Sequence, residues 1–369
     1  MEIPFMRLDR QYKTLKDEFL SATDNVLTHG RVLQGKEVVQ LETELSQLFN
    51  LEYASTVNSG TDALLFALKS LELTPGSKVA VTSLSFVASA SAIVNAGHIP
   101  IFIDIDEYYL SEIDIMLDMI QKREIDAIIA VHLFGQMIDL SLVYPSAKSN
   151  NIPIIEDAAQ CLGAHREEAM PGKYSDAVCL SFDPTKVIGA FGSGGAVLTN
   201  NQKINDYIKK YRYHGHRGNR VYDFIGYNSQ MPSLQASFIS IKLKHLSGWQ
   251  DRRTDIAKKY SNTLANISDV EIPQVLIGNI HIWHKYVVTI NNKRDDLIEY
   301  LKDDGISTSI HYSRPLHLQP CFSKYASIQR EITKVEQCVN NILSLPIYPD
   351  LTDDEVNYIC DSIELYFNE

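Results

Sequence analysis

The pattern of apolar and polar positions between residues 54 and 200 predicts an alternating α/β unit. Short, almost continuously apolar runs are typical of strands that helices cover on both faces. Such strands are predicted over residues 78–82, 100–104, 127–133, 153–156, 177–182 and 195–199, with helices over 62–71, 86–96 and 111–122. The alternation favours a mostly parallel sheet with right-handed crossovers, in which ligands bind at the carboxyl ends of the strands.

The pattern changes after about residue 232. A long helix is predicted over residues 232–265. A smaller α+β unit follows, with strands over 284–290 and 307–312 and helices over 295–303, 331–341 and 353–366. We therefore expect a large α/β unit with an N-terminal arm over residues 1–235 and a smaller C-terminal α+β unit over residues 236–369.

Composition narrows the classes of function. The chain has 369 residues, and its 34 basic and 46 acidic side chains give a net charge of −12. This balance disfavours non-specific binding to nucleic acid or to anionic membranes. The five cysteines form no CxxC pair, which indicates a reducing compartment and argues against disulfides and a zinc site. With no signal-like N-terminus and no apolar run of membrane-spanning length, we expect a cytoplasmic protein without a metal.

Two polar segments lie where such a sheet would bind a ligand. Ser59, Gly60 and Thr61 open a predicted helix, where N–H groups and the helix dipole favour an anion such as phosphate, although plain N-capping by Ser59 or Thr61 is the better explanation of this segment taken alone. Asp157 ends an apolar strand. Its carboxylate could pair with a cationic ring nitrogen, bind a metal or cap the next helix.

A lysine follows another predicted strand. Lys186 stands four residues beyond the apolar run 177–182, where a desolvated amine could form a Schiff base, although a single lysine is usually a solvated surface residue. The glycines at 189, 192, 194 and 195 precede a strand rather than a helix, so they form no dinucleotide-binding fingerprint.

One segment runs against the acidic average of the chain. We call residues 209–220 the basic segment; it contains no acid, and its charged and histidine residues are Lys209, Lys210, Arg212, His214, His216, Arg217 and Arg220. It could be a solvated helix face or an anion site. His214 and His216 as metal ligands are a weaker alternative, because no cysteine or carboxylate accompanies them.

Taken together and in this order, these segments resemble the DegT-type nucleotide-sugar aminotransferases, which are fold-type I pyridoxal-phosphate (PLP) enzymes. Similar stretches recur along nearly the whole chain. They are IPF at residues 3–5, RQY at 10–12, SGTDAL at 59–64, FIDID at 102–106, EDAAQ at 156–160, SFDPTK at 181–186, GYNS at 226–229, HY at 311–312, PLHLQP at 315–320 and SLP at 344–346.

The resemblance implies a role for each of these residues. Lys186 would bind PLP covalently and move the proton, Asp157 would keep the ring nitrogen protonated, and Gln160 would bind the ring hydroxyl. The other implied cofactor contacts are stacking by Phe86, phosphate binding by Gly60, Thr61 and Ser181, and Asn228 reaching in from the partner of a homodimer. The implied sugar contacts are His311 and Tyr312, with Arg212, Arg217 and Arg220 for the diphosphate.

The resemblance also implies a reaction. L-glutamate, or less often glutamine, would donate an amino group to a nucleotide-linked ketosugar. The resemblance favours amination at carbon 3 of a 6-deoxy or uronic sugar. A dehydratase branch of the family replaces the lysine by histidine, so Lys186 favours transamination. A PLP-binding regulatory protein is the alternative without turnover. Three positions depart from the family pattern: Gln230 stands in place of Arg, Ser193 in place of Asp, and Asp183 where an aromatic residue is common.

Overall fold

The large unit contains the N-terminal arm, the first seven helices of the chain and most of the strands. The structure, a computed structural model, describes residues 1–328 and 330–368. Its helices are α1 (Leu8–His29), α2 (Lys36–Phe49), α3 (Gly60–Ser70), α4 (Val87–Ala96), α5 (Ile113–Gln121), α6 (Leu140–Ser149) and α7 (Gln202–Tyr211). Its strands are β1 (Tyr53–Val57), β2 (Lys78–Thr82), β3 (Ile99–Ile103), β4 (Ala127–Val131), β5 (Ile154–Asp157), β6 (His165–Arg166), β7 (Ala177–Ser181), β8 (Gly195–Thr199), β9 (His216–Gly218) and β10 (Val221–Tyr222).

A seven-stranded sheet lies at the centre of this unit, in the order β1-β8-β7-β5-β4-β2-β3. The pairs from β7 to β3 are parallel, and β8 runs antiparallel to both of its neighbours. The predicted α/β class with a mostly parallel sheet is confirmed, and the six predicted strands differ from the observed bounds by at most two residues.

Helices cover both faces of this sheet. Along β7, Ala177 and Cys179 belong to one buried apolar cluster, whereas Val178 and Leu180 belong to another. Because neighbouring residues of a strand point to opposite faces, this alternation places an apolar core on each side. Burial on both faces explains why the sequence of these strands is almost continuously apolar.

The C-terminal part of the chain contains α8 (Ser233–Leu243), α9 (Leu246–Leu264), α10 (Arg294–Asp303), α11 (Lys334–Cys338) and α12 (Asp353–Asn368). Its strands are β11 (Val270–Glu271), β12 (Asn279–Ile280), β13 (Tyr286–Ile290) and β14 (Ile342–Leu345), and 3-10 helices cover Leu316–Leu318 and Pro320–Ile328. The antiparallel sheet β11-β13-β14 packs with α9, α10 and α12 around a third core, to which Ile3 of the N-terminal arm contributes.

Three predictions for this part need correction. The helix predicted over 232–265 is interrupted at Lys244 and His245, where α8 ends and α9 begins. The segment 307–312 forms no strand, because Ser309 makes a single bridge to Ser344 and the following residues turn into a cavity. The helix predicted over 331–341 shortens to α11, after which the chain enters β14, a buried strand that pairs antiparallel with β13.

The packing of α8 and α9 decides where the large unit ends and the smaller unit begins. The predicted boundary at 235/236 falls inside α8, which packs against α1 and α2 of the large unit. We infer that the smaller unit begins at α9, which packs on α12. In the described residues, no helix combines the length and the apolar character needed to cross a bilayer.

Candidate active site

A cavity of about 530 Å³ opens at the carboxyl ends of β4, β5 and β7. Residues of both units line it, and nine of the predicted site residues are among them: Gly60, Thr61, Phe86, Asp157, Gln160, Ser181, Lys186, His311 and Tyr312. These residues come from distant parts of the sequence: the parallel sheet brings those of the large unit to one edge, and the smaller unit adds His311 and Tyr312.

Asp157 is the last residue of β5 and is buried. One of its carboxylate oxygens accepts a hydrogen bond from the Ser89 hydroxyl at 2.7 Å, and the other accepts from the Ala159 N–H at 3.2 Å. Ser89 in turn lies 2.9 Å from the Ser85 hydroxyl. A carboxylate held in this way has a fixed orientation, and its charge can stabilise a cation that enters the cavity.

The preceding residue, Glu156, faces the other side of the sheet. Its carboxylate contacts Nε2 of buried His132 at 2.5 Å and accepts from the Gly172 N–H at 2.7 Å. The Ile138 N–H donates to Nδ1 of His132, so the Nε2–H of His132 donates to Glu156. Of the two acids at the end of β5, Glu156 is therefore structural and Asp157 faces the cavity.

Lys186 lies in the loop after β7 and also lines the cavity. Its backbone N–H donates to the Asp183 carbonyl at 2.9 Å, which closes a tight turn. Burial lowers the pKa of the Lys186 ammonium, and the charges of Asp157 and Asp183 oppose that shift. A lysine with a lowered pKa has a larger neutral fraction, which is the nucleophilic and proton-accepting form.

Gln160 and Tyr312 connect the two units across the cavity. The Gln160 amide donates to the Tyr312 hydroxyl at 2.9 Å and accepts from the Phe134 N–H at 3.0 Å, which fixes its orientation. The ring of Phe86 lies 6.3 Å from that of Tyr312, at an angle of 43°. Phe86 is 54% exposed, so its ring has an open face onto which a flat ligand could stack.

The start of α3 forms another wall. Ser59 accepts from the Asp62 N–H at 3.0 Å, so the N-cap explanation of this segment holds. Gly60 and Thr61 also line the cavity, and their N–H groups belong to the first turn, where a helix supplies no acceptor of its own. A Cβ atom on Gly60 would lie 2.6 Å from Cβ of Ser181, so this close approach requires glycine.

The other predicted residues lie outside the cavity of this chain. Asn228 is exposed, and Arg217 and Arg220 lie at the β9–β10 hairpin on the surface. Arg217 pairs with Asp223 at 3.1 Å.

Arg212 differs from the other arginines because it is largely buried. Its guanidinium contacts Glu42 at 2.5 Å and donates to the Thr56 carbonyl at 2.7 Å. We expected a substrate contact here, but these partners give Arg212 a structural role. The solvated-helix alternative fits Lys209 and Lys210, which lie in the last turn of α7.

The positions that depart from the family pattern lie in two places. Ser193 and Asp183 line the cavity. Gln230 does not, and its side chain instead hydrogen-bonds to Gln34 and, at 3.4 Å, to Asn228.

Sequence reasoning missed several residues that line the cavity. His284 and Lys285 enter it from the start of β13, and Phe5 enters from the N-terminal arm. Burial, with lesser contributions from Lys285 and Lys186, lowers the pKa of His311 to about 3, and the pKa of His284 is also well below its usual value. The signal for this group was the pair of polar residues at 284–285 within an apolar stretch, but nothing in the sequence placed it beside Lys186.

Comparison with known proteins identifies the family. A model of the DegT/DnrJ/EryC1/StrS aminotransferase family matches residues 13–364. The chain belongs to this family. It is 32% identical over 369 residues to a pleiotropic regulatory protein of Geobacillus stearothermophilus, covering 100% of this chain and 99% of that protein.

Other members of the family carry the names of sugar-modifying enzymes. The chain is 31% identical over 361 residues to a UDP-N-acetyl-3-dehydro-α-D-glucosamine 3-aminotransferase of Acidithiobacillus ferrooxidans, covering 98% of this chain and 97% of the relative. Further relatives, at 30–32% identity, are named as dTDP-sugar or UDP-sugar transaminases and aminotransferases. Among solved structures, NtdA from Bacillus subtilis with bound cofactor PMP superposes with a TM-score of 0.91 at 27% identity, covering 100% of this chain and 86% of that one.

This DegT-family protein is therefore a fold-type I aminotransferase, and its cofactor is PLP. The cavity fits this group. Gly60 leaves the room that a phosphate would occupy beside Ser181, and Asp157 supplies a buried, oriented carboxylate. Lys186 supplies an amine with a lowered pKa.

Proposed function

We propose that this DegT-family enzyme transfers the amino group of L-glutamate to a ketosugar carried on a nucleoside diphosphate. The observation that carries the proposal is the presence of Asp157, Gln160 and Lys186 in one cavity. The names of these sugar-modifying relatives support the substrate class. Several of those names specify a 3-amino sugar, which favours amination at carbon 3 of a 6-deoxy or related sugar. Aminosugars of O-antigen, capsule or other glycans are the products we propose.

When PLP is bound, its ring acts as an electron sink for the carbanion formed at the substrate carbon. Asp157 would keep the ring nitrogen protonated through its negative charge, since Ser89 and the Ala159 N–H fix the orientation of its carboxylate. Gly60, Thr61 and Ser181 would hold the phosphate group, and Gln160 would contact the ring hydroxyl. Phe86 would cover one face of the ring and exclude water from it.

Lys186 is the proton-transfer group in this proposal. Its Nζ lies in the same cavity, and burial lowers its pKa, so more of the amine is neutral at pH 7. A neutral Nζ can accept the proton that leaves the carbon bearing the amino group of the donor. It can then deliver this proton to the carbon that is protonated next. His311 is uncharged at neutral pH because its pKa is about 3, so it can contact the sugar only as a neutral hydrogen-bonding group.

We further propose that the enzyme is a cytoplasmic homodimer with shared active sites. The segment that includes the β9–β10 hairpin exposes apolar side chains next to Asn228, and Ile225 is 93% exposed. The others are Val221, Tyr222 and Tyr227. Covering such a surface with a second copy would bury it and would bring Asn228, Arg217 and Arg220 towards the partner's cavity.

The test is a screen of the PLP-loaded enzyme with L-glutamate and a set of UDP-linked and dTDP-linked ketosugars. Products are identified by mass spectrometry and NMR, and 2-oxoglutarate is quantified. We expect one equivalent of 2-oxoglutarate for each aminosugar formed. Sugar dehydration without incorporation of nitrogen would instead indicate the dehydratase alternative.

A second candidate is a regulatory role, because one relative is named a pleiotropic regulatory protein. In that case PLP would bind, but L-glutamate would leave its absorbance spectrum unchanged in the absence and in the presence of every sugar tested. The half-reaction with L-glutamate alone therefore separates the two candidates before any sugar is identified. Light scattering of the same sample tests the dimer.

A further inference from the structure

A second lysine enters the cavity that contains Lys186. Lys285 directly precedes β13, and its backbone N–H donates to the Phe134 carbonyl at 3.1 Å, which fixes the start of this strand against the loop after β4. The Nζ atom of Lys285 lies 4.8 Å from the centre of the Phe5 ring. Phe5 also stacks on His311, with 5.5 Å between the ring centres. An aromatic ring therefore holds the ammonium group at the cavity wall.

This ammonium group has no acidic partner. Across residues 1–328 and 330–368, no carboxylate forms an ion pair with Lys285 and no acceptor forms a hydrogen bond with its Nζ. Asp183 attracts it from a greater distance, whereas Arg253 and Lys186 repel it. The neighbouring His284 and His311 are uncharged at neutral pH. A partly buried cation without a partner is unfavourable unless an anion from outside joins it.

The phosphate of the cofactor does not account for Lys285. The residues that suit that phosphate are Gly60, Thr61 and Ser181, which belong to the large unit. Lys285 belongs to the smaller unit and lines the cavity beside Phe5 and His311. It is therefore free to meet a substrate, and both substrates of the proposed reaction are anions.

We propose that Lys285 is an anion-binding residue that holds a carboxylate or phosphate group of a substrate against Phe5 and His311. The inference rests on the proposed function for the identity of the substrates. Two sources supply the anion: a carboxylate of L-glutamate and the diphosphate of the nucleotide sugar. A charge-assisted contact of this kind changes affinity about tenfold to a hundredfold.

The proposal has a consequence for pH dependence. Burial, together with the charges of Arg253 and Lys186, lowers the pKa of Lys285 to about 7, and Asp183 opposes this shift. A lysine is charged below its pKa, so the free enzyme loses this cation as the pH rises through about 7. The affinity for the anion then falls over the same range. An arginine at position 285 stays charged throughout and abolishes this dependence.

The experiment uses PLP-loaded enzyme and three variants: Lys285→Met, Lys285→Arg and, as a control, Lys148→Met. Lys148 also places its ammonium near an aromatic ring, 5.4 Å from the centre of Tyr144, but it is exposed on α6. Calorimetry measures the binding of glutarate, UDP and dTDP at several pH values between 6 and 8.5. KM for L-glutamate is measured on the same samples.

We expect Lys285→Met to weaken one class of ligand about tenfold or more, and Lys148→Met to weaken neither. Weaker glutarate binding and a higher KM for L-glutamate would assign the carboxylate, whereas weaker UDP or dTDP binding would assign the diphosphate. Lys285→Arg should bind the affected ligand within about threefold of wild type at pH 6 and lose less affinity than wild type as the pH rises to 8.5.

Two results would overturn the proposal. One is unchanged binding of all three ligands by Lys285→Met. The other is a wild-type pH profile as flat as that of Lys285→Arg, which decides the case if Lys285→Met does not fold. Because glutarate, UDP and dTDP bind without turnover, either result is distinguishable from failure of the proposed function, which would appear as an absence of reaction with L-glutamate.

Discussion

The cavity and the basic segment both contain cations, but they differ in what those cations contact. In the basic segment, Arg212 pairs with Glu42, and Lys210 and Arg217 share Asp223. In the cavity, neither Lys186 nor Lys285 forms an ion pair with any described residue. The density of basic residues in a sequence is therefore a poor measure of available positive charge, because paired guanidinium groups are already neutralised. A lysine without an ion pair in a cavity, such as Lys285, offers more to an anionic ligand.

The largest expected effect tests the cavity side of this comparison. Lys186→Ala removes the amine that we propose binds PLP and moves the proton, so we expect kcat to fall about ten-thousandfold or more. Steady-state assays with L-glutamate and an accepted ketosugar measure this. Substantial turnover by Lys186→Ala would contradict the assignment of this residue.

Substitution of Arg212 in the basic segment should lower the free energy of unfolding. Arg212→Ala leaves Glu42 largely buried without its partner, and breaking such a pair costs about 3–5 kcal/mol of unfolding free energy. Urea denaturation measures the loss. The double variant Arg212→Met with Glu42→Gln is the control, since it removes both charges and should recover part of the stability. An unchanged midpoint for Arg212→Ala would show that the buried ion pair does not stabilise the fold.

A smaller effect is expected at the proposed phosphate wall. Gly60→Ala places a Cβ atom 2.6 Å from Cβ of Ser181, so the start of α3 must shift, and we expect PLP affinity to fall about tenfold to a hundredfold. Fluorescence titration of the apoenzyme measures this. Gly248→Ala in α9 is the control, because a Cβ atom there meets nothing within 4 Å. Equal PLP affinity in both variants would exclude Gly60 from the cofactor site.

The smallest effect concerns the exposed arginines. If a partner subunit brings the hairpin to the cavity, the double variant Arg217→Ala and Arg220→Ala should raise KM for the nucleotide sugar about threefold to tenfold. KM for L-glutamate should stay within about twofold. Because ion pairs as exposed as that of Arg217 contribute little, stability should change by less than about 1 kcal/mol. Equal changes in the two KM values would mean that this part of the segment is only a solvated surface.

Much of the large unit could be predicted because its strands are short, apolar and buried on both faces. The sequence pattern did not predict the edge strand β1, because Ser55 and Thr56 are polar although both are buried. Their partners lie far along the chain: Ser55 donates to Asn205, and Thr56 donates to Glu42. Local periodicity carries no information about such long-range hydrogen bonds.

The same limit applied to the site. Asp157 and Lys186 could be proposed because each follows a strand whose carboxyl end was predictable. Lys285 could not, because its importance depends on how the smaller unit packs against the N-terminal arm and the loop at Phe134. For Arg212 the error was the opposite one. The sequence shows its charge but not its contact with Glu42, so we predicted a substrate contact where the residue has a structural role.

The two acids that end β5 have a practical consequence for mutagenesis. Glu156 and Asp157 are adjacent in sequence but face opposite sides of the sheet, one towards His132 and the other into the cavity. A library that randomises both codons together would mix molecules that fail to accumulate with molecules that accumulate but do not react. Randomising them separately, with soluble yield scored for position 156 and colour or turnover for position 157, would give two independent maps of tolerance from neighbouring codons.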